Sequence, residues 1–173
     1  MKDTHPLEEK IDRILELLDR LPVPDAEAPA APEGSARTSA KFWALEGLRA
    51  QLVDDSGEVM LVGAVALPTG ETYDWQQSAS TAALVDTDWP ELADTINALA
   101  HPVRLAIVQA VVRGSGSTAE LADLPGLGTT GQLHHHLRLL LAAGWLQSAG
   151  RGRYEVPAAR VVPLLITLAA AAR

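Results

Sequence analysis

The chain has 173 residues, 47% of them hydrophobic and only 4% aromatic, enough for one ordinary core with an appendage but not for two large cores. It has no cysteine, which excludes disulfides, thiolate metal sites and cysteine nucleophiles. The net charge of −8 is unevenly spread: residues 1–86 carry 16 acidic and 7 basic side chains, residues 87–173 carry 6 and 7, so the second half permits a nucleic-acid partner.

Leu7, Ile11, Ile14, Leu18 and Leu21 repeat at spacings of 4, 3, 4 and 3, which predicts a coiled-coil helix over residues 1–21. A helix this short needs a partner, either a second copy or the main domain. Pro22 and Pro24 stop it, and the Pro-, Ala- and Glu-rich stretch 22–40 reads as a flexible linker. Residues 41–86 follow as a segment without an assigned role. Phe42, Leu45, Leu48 and Leu52 predict an amphipathic helix over 41–52; two extended runs, 58–67 and 71–78, flank Pro68-Thr69-Gly70 as a β-hairpin. Tyr73 and Trp75 alternate with polar neighbours, so the hairpin has one apolar face; it either caps the helical part or contacts a ligand or a second copy. No secretory signal is visible, and the longest apolar run, 161–170, is interrupted by Pro163 and Thr167 and too short to cross a bilayer. A cytoplasmic protein without a membrane partner is expected.

Residues 87–173 turn helical, with segments expected at 90–99, 102–112, 118–124, 129–142 and 158–171. Asp88 and Pro90 suit the start of the first. Ser117 or Thr118 closes the third, and Pro125-Gly126-Leu127-Gly128 makes a tight turn into the fourth. Trp145 to Val156 reads as a second hairpin with Gly150 and Gly152 near its tip. In the fourth helix, capped by Thr129 and ended by Gly144, Leu133, Leu137, Leu140 and Leu141 form one buried stripe. Thr130, Gln132, His134, His135 and Arg138 point elsewhere. Hydrogen-bonding side chains gathered in the first half of a helix, opposite an apolar anchor, are what major-groove recognition requires.

The runs LAHPVRLAIVQAV, TAELADLPGLGTTGQLHHHLRLLLAAGWL and GRGRYEV, taken in that order, resemble the winged helix-turn-helix of ArsR-type bacterial repressors over residues 92–172. The resemblance implies an α+β, mostly helical fold: a winged helix-turn-helix domain for DNA binding and dimerisation over 87–173, preceded by the helix, hairpin and coiled coil. It also implies a dimeric repressor acting on double-stranded DNA, with Thr130, Gln132, His134, His135 and Arg138 as base or phosphate contacts and Arg151 and Arg153 on the wing. Arg138 also reads as a solvated surface charge, Arg151 and Arg153 as a solubility pair, and Arg104 as one half of a structural ion pair. The terminal helix, apolar nearly all round, is expected to pair with residues 90–99 of a second copy or to be buried within the monomer. Higher oligomers would form through residues 7–21.

Metal sensing is not expected. The family's sites use cysteines or Asp/His pairs on the terminal helix, and Val161 to Arg173 offers none. His134, His135 and His136 are consecutive on a helix, fan out by about 100° each, and cannot share one ion. No nucleotide-binding or hydrolase motif is present, so neither an enzyme nor a cofactor is expected. The rival to a DNA-binding regulator is an interaction scaffold that keeps the fold without binding specific DNA.

Overall fold

The computed structural model describes residues 41–52 and 57–172, so the heptad helix and the linker expected before residue 41 lie outside the described residues. The chain divides into two units, 1–46 and 47–173, with helix α1 (Trp43–Gln51) straddling the boundary. The architecture is mixed α+β and about half helical, with two separate two-stranded antiparallel sheets. In chain order after α1 come β1 (Glu58–Ala66), β2 (Thr72–Ser80), α2 (Thr81–Asp86), a 3-10 turn (Trp89–Leu92) and α3 (Ala93–Asn97). Then follow α4 (Pro102–Val112), α5 (Thr118–Ala122), α6 (Thr130–Ala142), β3 (Gln147–Gly150), β4 (Arg153–Glu155) and α7 (Ala158–Ala171).

α4 and α7 occupy the residues their periodicity predicts; α5 and α6 differ from the expected bounds only at their ends. Both α4 and α6 stop on a glycine at positive φ. Gly114 (φ 99) and Gly144 (φ 70) reverse the chain, and the amides of Ser115 and Trp145 return to the carbonyls of Ala110 and Leu140, both at 2.9 Å. This closure satisfies carbonyls the helix leaves open. The core lies between α4, α5, α6 and α7, where Ile107, Leu121, Leu133, Leu137, Leu140 and Leu164 are fully buried.

Two expectations need correction. The predicted helix over 90–99 is instead a 3-10 turn running into the short α3, and Asp88 makes no side-chain cap bond there. α3 ends because Arg104 takes its last carbonyls: Nε donates to Ala98 O and Nη2 to Asn97 O, both at 2.6 Å. Arg104 is buried, and its partners are these carbonyls rather than the carboxylate of an ion pair. A cation at a helix C-terminus also sits well against the helix dipole.

Of the two places expected for α7, its first half takes the one within the chain: Val161 and Leu164 enter the core, and Val162 faces the first sheet. In that sheet Gly63 pairs with Trp75, and a Cβ at Gly63 would lie 2.6 Å from the Val162 side chain. The β1–β2 hairpin therefore caps the helical part, with Leu61, Val65, Tyr73 and Trp75 on its half-buried face and Val62, Ala64, Asp74 and Gln76 outside. The second half of α7 is left exposed. Helix α2, absent from the elements expected of the sequence, follows β2 directly and is capped by the Ser80 hydroxyl accepting from Ala83 N at 3.1 Å. No single described helix is long and apolar enough to cross a membrane.

Candidate nucleic-acid interface

α5 and α6 start with the same reciprocal cap. The Ser117 hydroxyl accepts from Glu120 N while the Glu120 carboxylate accepts from Ser117 N at 2.8 Å. At α6 the Thr129 hydroxyl accepts from Gln132 N, and Gln132 Oε1 accepts from Thr129 N at 2.9 Å. Such pairs fix where a helix begins and its entry angle. Ser117 is thus the cap of α5. Thr118 instead donates its hydroxyl to Gly152 O at 2.9 Å, in the second hairpin. Gly128 (φ 80) completes the turn into α6, because a Cβ there would collide with Gln132 Oε1.

Leu133, Leu137 and Leu140 anchor α6 in the core, and the remaining side chains divide by angle around the helix. Thr130, Gln132, His134, His135 and Arg138 are all exposed, as the pattern predicts. Gly131, His135, Arg138 and Ala142 follow spacings of 4, 3 and 4 and form the centre of the outward face, flanked by His134. Arg138 makes no ion pair or side-chain hydrogen bond among the described residues. α6 contains no acidic residue, so nothing on the helix opposes an approaching phosphate. Gln132 is only half available: its carboxamide oxygen serves the cap, leaving the NH2 group for an outside partner.

The β3–β4 hairpin is fastened beside α5. Ser117 forms an isolated antiparallel bridge with Arg153; Thr118 N donates to Gly152 O and Tyr154 N to Gly116 O, both at 2.8 Å. At the tip Arg151 (φ 51) and Gly152 (φ 70) are the left-handed pair that a tight right-twisted hairpin turn requires. Glycine or asparagine suits the first of these positions better; arginine there costs about 1–2 kcal/mol. The strain places an exposed guanidinium at the outermost point of the hairpin.

Arg151 and Arg153, a pair in the sequence, act differently. Arg153 is 52% exposed, lies 3.8 Å from Glu120 Oε2, and donates through Nη2 to Gly114 O at 3.4 Å. It ties the hairpin to the starts and ends of neighbouring helices. The Glu120 carboxyl is held below its usual range, chiefly by its hydrogen bonds from Ser117, with Arg153 adding to the effect.

The three histidines also separate. His136 turns inward, its ring 4.9 Å from that of His101 and 5.7 Å from that of His135, and its buried Nδ1 has no hydrogen-bond partner. His101 is the N-cap of α4: its Nδ1 accepts from Val103 N at 3.1 Å, with Pro102 at the first helical position. Sequence reasoning passed over this cap, although His-Pro immediately before an apolar helix carried the signal. Among the described residues no group of three His, Asp or Glu side chains is placed to hold a metal ion.

Burial, followed by the neighbouring His101, His135 and Arg104, lowers the His136 pKa. The unfolded chain therefore takes up this proton first. The stabilisation is complete above the ordinary histidine range near 6.5 and is lost as pH falls from there toward the folded-state value. Thermal denaturation of His136→Phe should accordingly show a smaller loss of Tm between pH 7.5 and 5.5 than the parent chain. Equal losses would contradict a proton-sensitive role for this ring. Comparison with protein-family models, curated proteins and solved structures gave no match.

Proposed function

We propose that residues 87–173 form a winged helix-turn-helix that binds double-stranded DNA sequence-specifically, and that the chain is a dimeric transcriptional repressor. One observation carries this reading: α6 is anchored by a leucine stripe while presenting His134, His135 and an unpaired Arg138 on an acid-free outward face. In this reading α6 enters the major groove. Its imidazoles and the Gln132 NH2 group meet base edges, and Arg138 meets a base or phosphate. The β3–β4 hairpin is the wing, and Arg151 at its tip reaches the sugar–phosphate backbone. Arg153 holds the wing in place through Glu120 and Gly114, so it acts on DNA only indirectly.

Dimerisation is assigned to the surface around the 3-10 turn and α3. Trp89 and Ile96 are 63% and 62% exposed, and Leu92 lies between them on the same side at helical spacing. An apolar strip of this kind is costly to leave in water. The second reading, an interaction scaffold without specific DNA binding, is favoured by Glu120 3.8 Å from Arg153, which sets a carboxylate beside one of the two wing cations.

Selection of bound sequences from a random DNA pool by the full chain separates the two readings. A symmetric dimer should enrich an inverted repeat with half-site centres about 10 base pairs, or a multiple of that, apart. Recovery of no preferred sequence would leave only the scaffold.

A further inference from the structure

We infer that the open cavity between α4, α7 and the β1–β2 turn is a binding site for a small amphiphilic carboxylate, an apolar body bearing one anionic head. The cavity measures about 440 Å³, within the range of small-molecule sites. Val108 on α4, Leu164 and the more exposed Leu168 on α7, and Pro68 from the turn line it with apolar surface. Its two polar side chains, Gln109 and Arg113, both come from the end of α4. No acidic residue lines it, and Arg113 makes no ion pair or side-chain hydrogen bond among the described residues.

The distribution of polarity selects the ligand. Arg113 and Gln109 are exposed beside this apolar lining, so a ligand with a hydrocarbon body and one anionic head can use both. A carboxylate suits them, because Arg presents a planar fork of donors that matches its two oxygens, with Gln109 alongside as a further donor. A cationic or phosphate-rich ligand fits less well: the first meets Arg113 as a like charge, and the second leaves the hydrocarbon walls without a partner.

The site also gives the β1–β2 hairpin a role beyond covering Val162. Its turn supplies one wall, and Thr69 in the same turn lies 3.1 Å from where a Cβ on Gly114 would be, next to Arg113. The proposal stands whether or not the chain binds DNA.

Decanoate, with decanol as its uncharged counterpart, tests it by calorimetric titration of the full chain at pH 7.5. Decanoate should bind saturably and more tightly than decanol. Arg113→Gln should weaken decanoate by about tenfold and leave decanol within about twofold. Leu168→Trp, which fills the mouth from an exposed position, should weaken both. Thermal denaturation of each variant establishes that it is folded. Absence of saturable decanoate binding, equal affinity for the two probes, or indifference to both substitutions would overturn the assignment.

Discussion

Arg104→Met should destabilise the protein by about 1–3 kcal/mol. Methionine fills the volume of the arginine stem without strain, so the loss is electrostatic in origin. Two carbonyls at the end of α3, those of Asn97 and Ala98, lose charged donors at 2.6 Å. Ala98 O is left without a partner, at a cost of about 1–3 kcal/mol, whereas Asn97 O keeps the amide of Ala100 at 3.0 Å. Trp145, whose indole Nε1 donates to Thr95 O at 2.8 Å, would remain as the other tie between α3 and the rest of the unit. Denaturant titration and melting check the outcome, with Tm lower by roughly 5 °C for a loss of this size. Arg104→Lys should fall between, since one ammonium cannot serve both carbonyls with the geometry of a guanidinium. A loss below about 1 kcal/mol for Arg104→Met would mean that the helix end finds water or other donors instead.

The second large effect concerns the tip of the β3–β4 hairpin and the outward face of α6. Arg151→Gly should raise stability by about 0.5–1 kcal/mol, because glycine accepts the φ of 51 that arginine tolerates at a cost. The same substitution should weaken DNA binding. Opposite signs in stability and affinity are the mark of a strained residue kept for function. Arg138→Gln leaves the buried leucine stripe untouched and should change stability by less than about 0.5 kcal/mol, as an exposed unpaired position does. Combined in a dimer, the two substitutions remove four guanidinium groups from the proposed contact and should cost at least about tenfold in affinity.

The helical elements after residue 100 were legible because each carries its own local signal. The leucine spacing of α6, the glycines at 114 and 144, and the reciprocal cap residues all act within one or two turns. What sequence reasoning missed or misjudged depends on contacts far along the chain. That Arg153 lies beside Glu120, 33 positions earlier, could not be read from either residue's neighbours. The apolar terminal helix reads as an interface or as core, and only the first hairpin, found covering Val162, decides for its first half. The helix over 90–99 was lost for a related reason: Arg104, from the following helix, closes α3 at its carbonyls. The candidate site was legible in its exposed face and less so in its charge. Gln132, His134, His135 and Arg138 are outward as the periodicity dictates, but the cap that employs the Gln132 oxygen also depends on the preceding turn.

Fluorescence anisotropy of the full chain on its selected duplex, measured against salt concentration, tests the central proposal most directly. With Arg138 and Arg151 presented by both subunits, the logarithm of the binding constant should fall with the logarithm of salt at a slope of about −4. Joint substitution Arg138→Gln and Arg151→Gly should flatten that slope by about 2 to 4 and weaken binding at every salt concentration, in a protein whose melting is unimpaired. An affinity and a slope that this pair of substitutions leaves unchanged would place the DNA contact elsewhere, or nowhere, on this chain.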